Sequence, residues 1–79
     1  MKKENILEKR FRERLKSLRK EKDLFQKDIA EKIGVALSTY SNWEQGRTQP
    51  SIQDIYKLLM AFEIEADELF ELDKEYELR

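Results

Sequence analysis

Apolar residues recur at helical spacing along most of the chain, and two glycines and one proline separate the segments. The first apolar face consists of four residues at steps of four, four and three: Leu7, Phe11, Leu15 and Leu18. Residues at this spacing lie on one side of a helix. The pattern predicts a first helix from Phe11 to about Lys22, or from an earlier start near Asn5.

Two short helices are predicted next, each followed by a glycine. Apolar residues at 29, 30 and 33 indicate a helix over Gln26–Ile33, and Gly34 then ends it. A third helix is predicted over Ser38–Gln45 and is closed by Gly46. Glycine favours both ends because it accepts the left-handed backbone conformation that terminates helices.

The remaining chain predicts two more helices. Ser51 and Asp54 have the spacing of a capping box, and Pro50 prevents the helix from starting earlier. We therefore expect a fourth helix from Ile52 to about Phe62 and a fifth over Ala66–Leu72. No segment alternates apolar and polar residues with a period of two, so no strand is predicted. The expected fold class is all-α, a compact domain of five helices.

Length and residue usage narrow the function. The 79 residues suffice for one domain, 1–79, with a core at about 9–72 and an acidic tail at 73–79. The chain has no cysteine and no histidine, which removes disulfides, the commonest zinc ligands and the commonest general base. With no glycine-rich phosphate loop either, we expect neither an enzyme nor a bound metal or cofactor. A cytoplasmic location is expected, because no signal peptide and no membrane-length apolar stretch is present.

Charge is distributed unevenly although the net charge is only −1. Residues 1–58 carry +5, whereas residues 59–79 carry −6. One interpretation is a basic face that meets nucleic acid together with an acidic end. The other is an ordinary solvated surface, and on charge alone the two are equally supported.

The segment from 26 to 46 has the residues that two closely crossing helices require. Ala30 is small at the point of approach, Gly34 makes the turn, and Val35 fills the space beneath it. Four larger residues then share a common core: Ile29, Ile33, Tyr40 and Trp43. These are the physical demands of a helix-turn-helix. Tyr40 and Trp43 are therefore predicted to lie in the core rather than to stack on bases.

From about Leu15 to Phe70, the chain resembles the lambda-repressor-like helix-turn-helix family, also called Cro/C1-type or XRE-type. The resemblance rests on five groups of residues in order: Leu15, Leu18 and Arg19; Gln26, Ala30, Ile33, Gly34 and Val35; Ser38, Thr39, Tyr40, Ser41, Trp43, Glu44 and Gly46; Pro50, Ser51 and Ile52; Leu69 and Phe70. The resemblance implies double-stranded DNA as the partner, with the third helix as the recognition helix in the major groove.

The resemblance also assigns site residues. Base contacts are expected from Leu37, Ser38 and Asn42, with Ala36 and Ser41 at the margins. Asn42 is the best candidate, because its amide both donates to and accepts from adenine, whereas Leu37 offers only apolar contact, for example to a thymine methyl group.

Phosphate contacts are implied for a second set of residues: Gln26, Lys27, Thr39, Arg47, Thr48 and Gln49. Gln26 is also expected to brace a neighbour on the third helix. An arginine on the first helix and a glutamate closing the third form an ion pair in this family. In this chain the two positions are Arg19 and Glu44, and the pair is predicted to be structural.

Four positions depart from the family pattern. Phe25 and Ala36 stand where serine or threonine usually cap the second and third helices, and each lost cap costs about 1 kcal/mol. Asp23 replaces a frequent glycine, and Leu37 replaces a commonly polar position that faces the groove. These departures leave the fold intact and bear on the strength and sequence preference of DNA binding.

Two functions follow from the sequence. The first is a repressor-like transcriptional regulator that binds a palindromic operator as a homodimer, with its two recognition helices about 34 Å apart. Its dimer contact would use helix 5 and the tail, where Leu69, Leu72 and Tyr76 form an apolar stripe unless they pack on the domain's own core. The alternative is a protein-interaction module, such as an antitoxin or a regulatory subunit, which Leu37, the missing caps and the acidic tail favour.

Overall fold

A computed structural model describes residues 5–70, and this part of the chain forms five α-helices and no strands. The helices are α1 (Ile6–Glu21), α2 (Gln26–Ile33), α3 (Leu37–Gln45), α4 (Ile52–Phe62) and α5 (Ala66–Phe70). The bounds of α2 and α4 agree with the sequence prediction, and α3 begins one residue earlier than predicted. Leu72 and Tyr76, with the rest of the tail at 73–79, lie outside the described residues.

The start of α1 corrects the preferred boundary at Phe11. The helix begins at Ile6, because Asn5 and Glu8 form a capping box. The Glu8 amide donates to Asn5 Oδ1 at 2.8 Å, and the Asn5 amide donates to Glu8 Oε1 at 3.3 Å. These two bonds satisfy backbone donors that would otherwise lack partners at the helix start. The alternative start near Asn5 was therefore the better prediction.

Four helices end in the same way, with one residue in the left-handed region. Gly34 and Gly46 both have φ of 77°, whereas Asp23 and Glu63 have φ of 55° and 58°. In each case the next amide donates to a carbonyl five positions back, as in a Schellman motif. The sequence indicated the ends at both glycines and at Asp23. The end of α4 at Phe62 was also predicted, from the last residue of its apolar face, although a glutamate carries no signal for the positive φ of Glu63.

A single core joins all five helices. Its buried apolar side chains are Phe11, Leu15, Leu18, Ile29, Ala30, Ile33, Tyr40, Trp43, Leu58, Ala61, Phe62 and Leu69. The helices pack as α1 against α3 and α5, and α2 against α3 and α4. Leu7 is the exception to the predicted face of α1, because it is 62% exposed at the rim of a groove that also includes Phe70.

The short helix α5 is attached to α1 by an aromatic stack and a hydrogen bond. Phe70 stacks on Phe11 with ring centroids 5.5 Å apart, and Arg14 Nε donates to the carbonyl of Glu68 at 2.8 Å. Leu69 is fully buried in the domain's own core. The first residue of the apolar stripe that was considered for dimerisation therefore packs inside the domain, as the simpler interpretation expected.

Candidate nucleic-acid interface

A tight corner joins α2 to α3. Residues 34–36 connect the helices, and the amides of Gly34 and Val35 both donate to the Ala30 carbonyl, at 2.9 and 3.0 Å. Ala30 is only 2% exposed, as expected for a small residue between crossing helices. A Cβ atom at Gly34 would meet nothing within 4 Å, so glycine is required there for its positive φ and not for space.

Helix α3 has two distinct faces. Tyr40, Trp43 and Glu44 are buried on the inner face, and the two aromatic rings meet edge to face with centroids 5.9 Å apart. This arrangement confirms that Tyr40 and Trp43 belong to the core. The outer face carries the predicted base-contacting residues, some of which are exposed and some half-buried.

The inner face is attached to α1 and α2 by a network centred on Glu44. Arg19 forms a two-pronged ion pair with it, Nε to Oε2 at 2.8 Å and Nη2 to Oε1 at 3.1 Å. Gln26 Nε2 donates to Glu44 Oε1 at 3.0 Å, which braces α2 against α3. Arg19 Nη1 also donates to the Leu24 carbonyl at 2.9 Å, so the loop after α1 belongs to the same network. Three elements are thus held to the back of α3.

The ionisation of this network follows from its burial. Burial alone raises the pKa of Glu44, but the hydrogen bonds from Arg19 and Gln26 outweigh it and hold that pKa below its ordinary value. The bond to Glu44 is also the main reason that the pKa of Arg19 is raised. Burial raises the pKa of the Tyr40 phenol above its usual range, and Glu44 adds to this effect. The pair is therefore charged near neutral pH, beside a neutral tyrosine.

The predicted base-contacting residues lie along the outer face of α3. Ser38 is exposed and Leu37 is 51% exposed, whereas Ser41 and Asn42 are half-buried. Ala36, at the margin, is exposed just before the helix begins. Ser41 also accepts a hydrogen bond from Gln45 Nε2 at 3.1 Å, an intrahelical contact that the sequence did not predict. Gln45 is exposed on the same face and is therefore a further polar group on this surface.

The predicted phosphate-contacting residues flank that face at both ends. At one end Lys27 is exposed beside Gln26, which has already used one amide N–H on Glu44. Past the other end of α3, the loop residues Arg47, Thr48 and Gln49 are all exposed. Thr39 is only half-buried and lies between the two groups along the chain. Cationic and polar groups thus lie before and after the candidate recognition helix.

In the sequence, Phe25 stood out only because it cannot cap α2. In the structure it adds an exposed apolar side chain beside the predicted interface. It is 70% exposed and lines an open cleft together with Leu37, Gln26, Lys27 and Arg19. No side chain caps α2 or α3. At α2, the Asp28 carboxylate accepts from the Phe25 amide at 2.7 Å, which is half of a capping box. The sequence did contain a signal for this unusual helix start, because an apolar residue stands three positions before an aspartate where serine or threonine would be expected.

Residues 5–70 lack the patterns of a metal site and of a membrane-spanning helix. In this part of the chain, no cluster of acidic side chains has the arrangement needed to hold a metal ion. Nor does any helix there have the length and apolar character needed to cross a membrane.

Comparison with protein families places this arrangement among known domains. The model of the helix-turn-helix family matches residues 15–69, which include the α2–α3 corner, the Arg19–Glu44 pair and the start of α5. No solved structure matches the chain significantly.

Comparison with individual proteins finds several relatives with regulatory names. The chain is 35% identical over 60 residues to the cryptic phage CTXphi transcriptional repressor RstR of Vibrio cholerae, covering 76% of this chain and 54% of the relative. It is 35% identical over 63 residues to the HTH-type transcriptional regulator AnsR of Bacillus subtilis, covering 80% and 54%. An uncharacterized HTH-type transcriptional regulator of Archaeoglobus fulgidus is 30% identical over 65 residues, covering 82% and 92%. The chain thus spans about half the length of the first two relatives and most of the third.

Proposed function

The chain belongs to the lambda-repressor-like, Cro/C1-type helix-turn-helix family, and on this premise we propose that it is a sequence-specific DNA-binding transcriptional regulator of the repressor type. In this proposal the protein binds DNA in the cytoplasm and does not catalyse a reaction. The names of its relatives, which include a phage repressor and several regulators, support this role.

One observation carries the proposal. Helix α3 is held from behind by the Arg19–Glu44 pair and the Gln26 brace, while its outer face carries Leu37 and uncharged polar side chains, with no ion pair within the described residues. A helix of this kind fits the major groove, which admits one α-helix and presents donors and acceptors on its floor. The fixed rear face means that little ordering is needed when the outer face meets a duplex.

In the proposed complex, the side chains of α3 supply sequence preference. Asn42 forms paired hydrogen bonds with an adenine edge, and Ser38 contacts a neighbouring base or phosphate. Ser41 lies at the edge of this contact, with its hydroxyl oriented by Gln45.

The flanking residues supply affinity without sequence preference. Lys27 and Arg47 neutralise phosphates at the two ends of α3, and Gln26, Thr39, Thr48 and Gln49 donate hydrogen bonds to phosphate oxygens. Because each neutralised phosphate releases a counterion, affinity falls as salt concentration rises.

We propose further that the protein binds as a two-fold homodimer on a palindromic operator. Leu69 is buried in its own domain and takes no part in the contact. The exposed side of α5, which includes Asp67 and Glu68, and the residues that follow α5 remain the proposed contact. Analytical ultracentrifugation with and without a selected operator checks this: a dimer is expected on DNA, and one bound chain per duplex would refute it.

Selection of duplexes from a random pool, followed by salt titration of variants, tests DNA binding. Asn42→Ala is expected to weaken the selected site by about 1–3 kcal/mol and to relax preference at one position only. Lys27→Ala is expected to weaken all duplexes alike and to reduce the salt slope by about one. Lys32→Ala is the matched control, because Lys32 is an exposed lysine at the opposite end of the same helix.

The same experiment separates the proposal from a protein-interaction role. If no sequence is enriched and binding to random duplexes is absent even at low salt, DNA binding is refuted and the alternative gains support. Equal effects of Lys27→Ala and Lys32→Ala would show that α2 does not approach phosphates at its first turn.

A further inference from the structure

Two apolar side chains face solvent beside the proposed DNA interface. Phe25 is 70% exposed immediately before α2, and Leu37 is 51% exposed as the first residue of α3. Although twelve positions separate them, both line one open cleft with Gln26, Lys27 and Arg19. The tight corner at Gly34 brings the two helix starts to the same side of the molecule.

Phe25 occupies its position against the local preference of the backbone. The pair Ser51 and Asp54 shows the complete arrangement at α4: the Asp54 amide donates to Ser51 Oγ at 3.1 Å, and the Ser51 amide donates to Asp54 Oδ2 at 3.2 Å. At α2, Asp28 makes the second of these bonds with the amide of Phe25, but a phenyl ring cannot accept the first. Serine would therefore suit the helix better, and an exposed phenylalanine there suggests a binding role.

We propose that Phe25 and Leu37 form an apolar clasp that holds the C5-methyl group of a thymine in the operator. This inference rests on the proposed function and adds a determinant of sequence specificity to it. Thymine carries the one apolar group on the major-groove edges of ordinary base pairs, and both leucine and phenylalanine can pack against it.

The surroundings of the clasp favour DNA over a protein as its occupant. The cleft is also lined by Lys27, which is exposed, and by Gln26 and Arg19, whose guanidinium is held by Glu44. An exposed cation beside an apolar pair matches a duplex, in which a phosphate and a methyl group lie on the same nucleotide. The clasp also adjoins Ser38, the next residue on the outer face of α3.

Replacement of thymine by deoxyuracil tests the clasp, because this change removes the methyl group and leaves base pairing intact. In an operator selected from a random pool, each thymine is replaced in turn and the dissociation constant is measured. For the unmodified chain, we expect one position in each half-site at which uracil weakens binding about fourfold, the effect of one buried methyl group.

Variants then locate the effect. The variants Phe25→Ser and Leu37→Ala are each expected to bind the thymine and uracil operators with similar affinity. Met60→Ala is the control, because Met60 is an apolar residue on α4 that is 62% exposed and lies outside the clasp. This variant should retain the fourfold difference. Circular dichroism confirms that each variant is folded, and both clasp residues are exposed, so neither change disturbs the core.

The possible failures are distinguishable. If the chain selects an operator but tolerates uracil at every position, the clasp is refuted while DNA binding stands. The clasp is also refuted if Phe25→Ser and Leu37→Ala keep the uracil effect, or if the variants bind like the unmodified chain. If no operator is selected at all, both the proposed function and the clasp are wrong.

Discussion

Arg19 and Glu44 lie 25 positions apart in sequence and form a two-pronged ion pair between α1 and α3. The Glu44 side chain is 1% exposed and that of Arg19 is 12% exposed, so both charges have left water almost completely. Each depends on the other for compensation of the lost hydration. The pair lies directly behind the outer face of α3 and determines how that face is presented.

Loss of one partner of this pair is expected to be strongly destabilising. Arg19→Met leaves a buried carboxylate without its charge partner, and the free energy of unfolding should fall by about 3–5 kcal/mol in urea titrations. Glu21→Gln is the control, since Glu21 is 64% exposed in a pair with Arg14 at 3.7 Å. That change should cost less than about 1 kcal/mol. Similar losses for both variants would contradict the assigned role.

Acid should weaken the fold through Glu44. Because the pKa of Glu44 is lower in the folded chain than its ordinary value, the stabilisation is complete above the unfolded pKa. It is then lost as pH falls through the unfolded and folded pKa values. Urea titrations of the unmodified chain and of Glu44→Gln should differ most near neutral pH, and the difference should shrink as pH falls below the ordinary pKa of a glutamate. A difference that does not change with pH would mean that the pKa of Glu44 is the same in the folded and unfolded chain, which would contradict the assigned ion pair.

The two uncapped helices offer stabilising substitutions. Phe25→Ser completes the box with Asp28 at α2, and Ala36→Ser supplies an acceptor at the extended backbone before α3. Each change should raise the free energy of unfolding by about 1 kcal/mol. Thermal denaturation measures the gain, and Phe25→Ala serves as a control that removes the phenyl ring without adding a cap. If Phe25→Ala stabilises as much as Phe25→Ser, the gain comes from the loss of exposed apolar surface instead.

Substitutions at Gly34 test how far the corner between α2 and α3 depends on a positive φ, because an added Cβ atom there changes no packing contact. A Cβ atom there meets no neighbour, yet φ is 77°. Gly34→Ala should therefore lower the free energy of unfolding by about 1–2 kcal/mol through backbone strain. Gly34→Asn should lower it less, because asparagine tolerates the left-handed region better. Equal losses in chemical denaturation would indicate a clash that the geometry does not contain.

Most helix bounds could be predicted because their signals are local. Gly34, Gly46 and the Ser51–Asp54 box mark the ends of α2 and α3 and the start of α4 within a few residues. The start of α1 was placed less well, because its apolar face suggested Phe11 whereas the box at Asn5 extended the helix. The end of α4 at Phe62 was predicted from the last residue of its apolar face, whereas the positive φ of Glu63, which follows it, carried no local signal.

The site was predicted as a set of residues and not as an arrangement. The faces of α3 followed from the spacing of Tyr40 and Trp43, and the resemblance to a known family assigned Asn42 and Arg47 their roles. Neither source indicated that Ser41 would bond to Gln45, or that Phe25 would line a cleft with Leu37. Those contacts depend on rotamers and on the angle between helices, which residue spacing does not specify.

By itself, the order of residues determined where most helices begin and end and which side of each is apolar. Capping and left-handed ends involve residues at most six positions apart, so the chain specifies them before it packs. Only the tertiary structure decided that Glu44 is buried against Arg19 and that Phe25 and Leu37 line one cleft. Such contacts require separate helices to dock in one geometry, and the free energy that sets this geometry comes from the shared core.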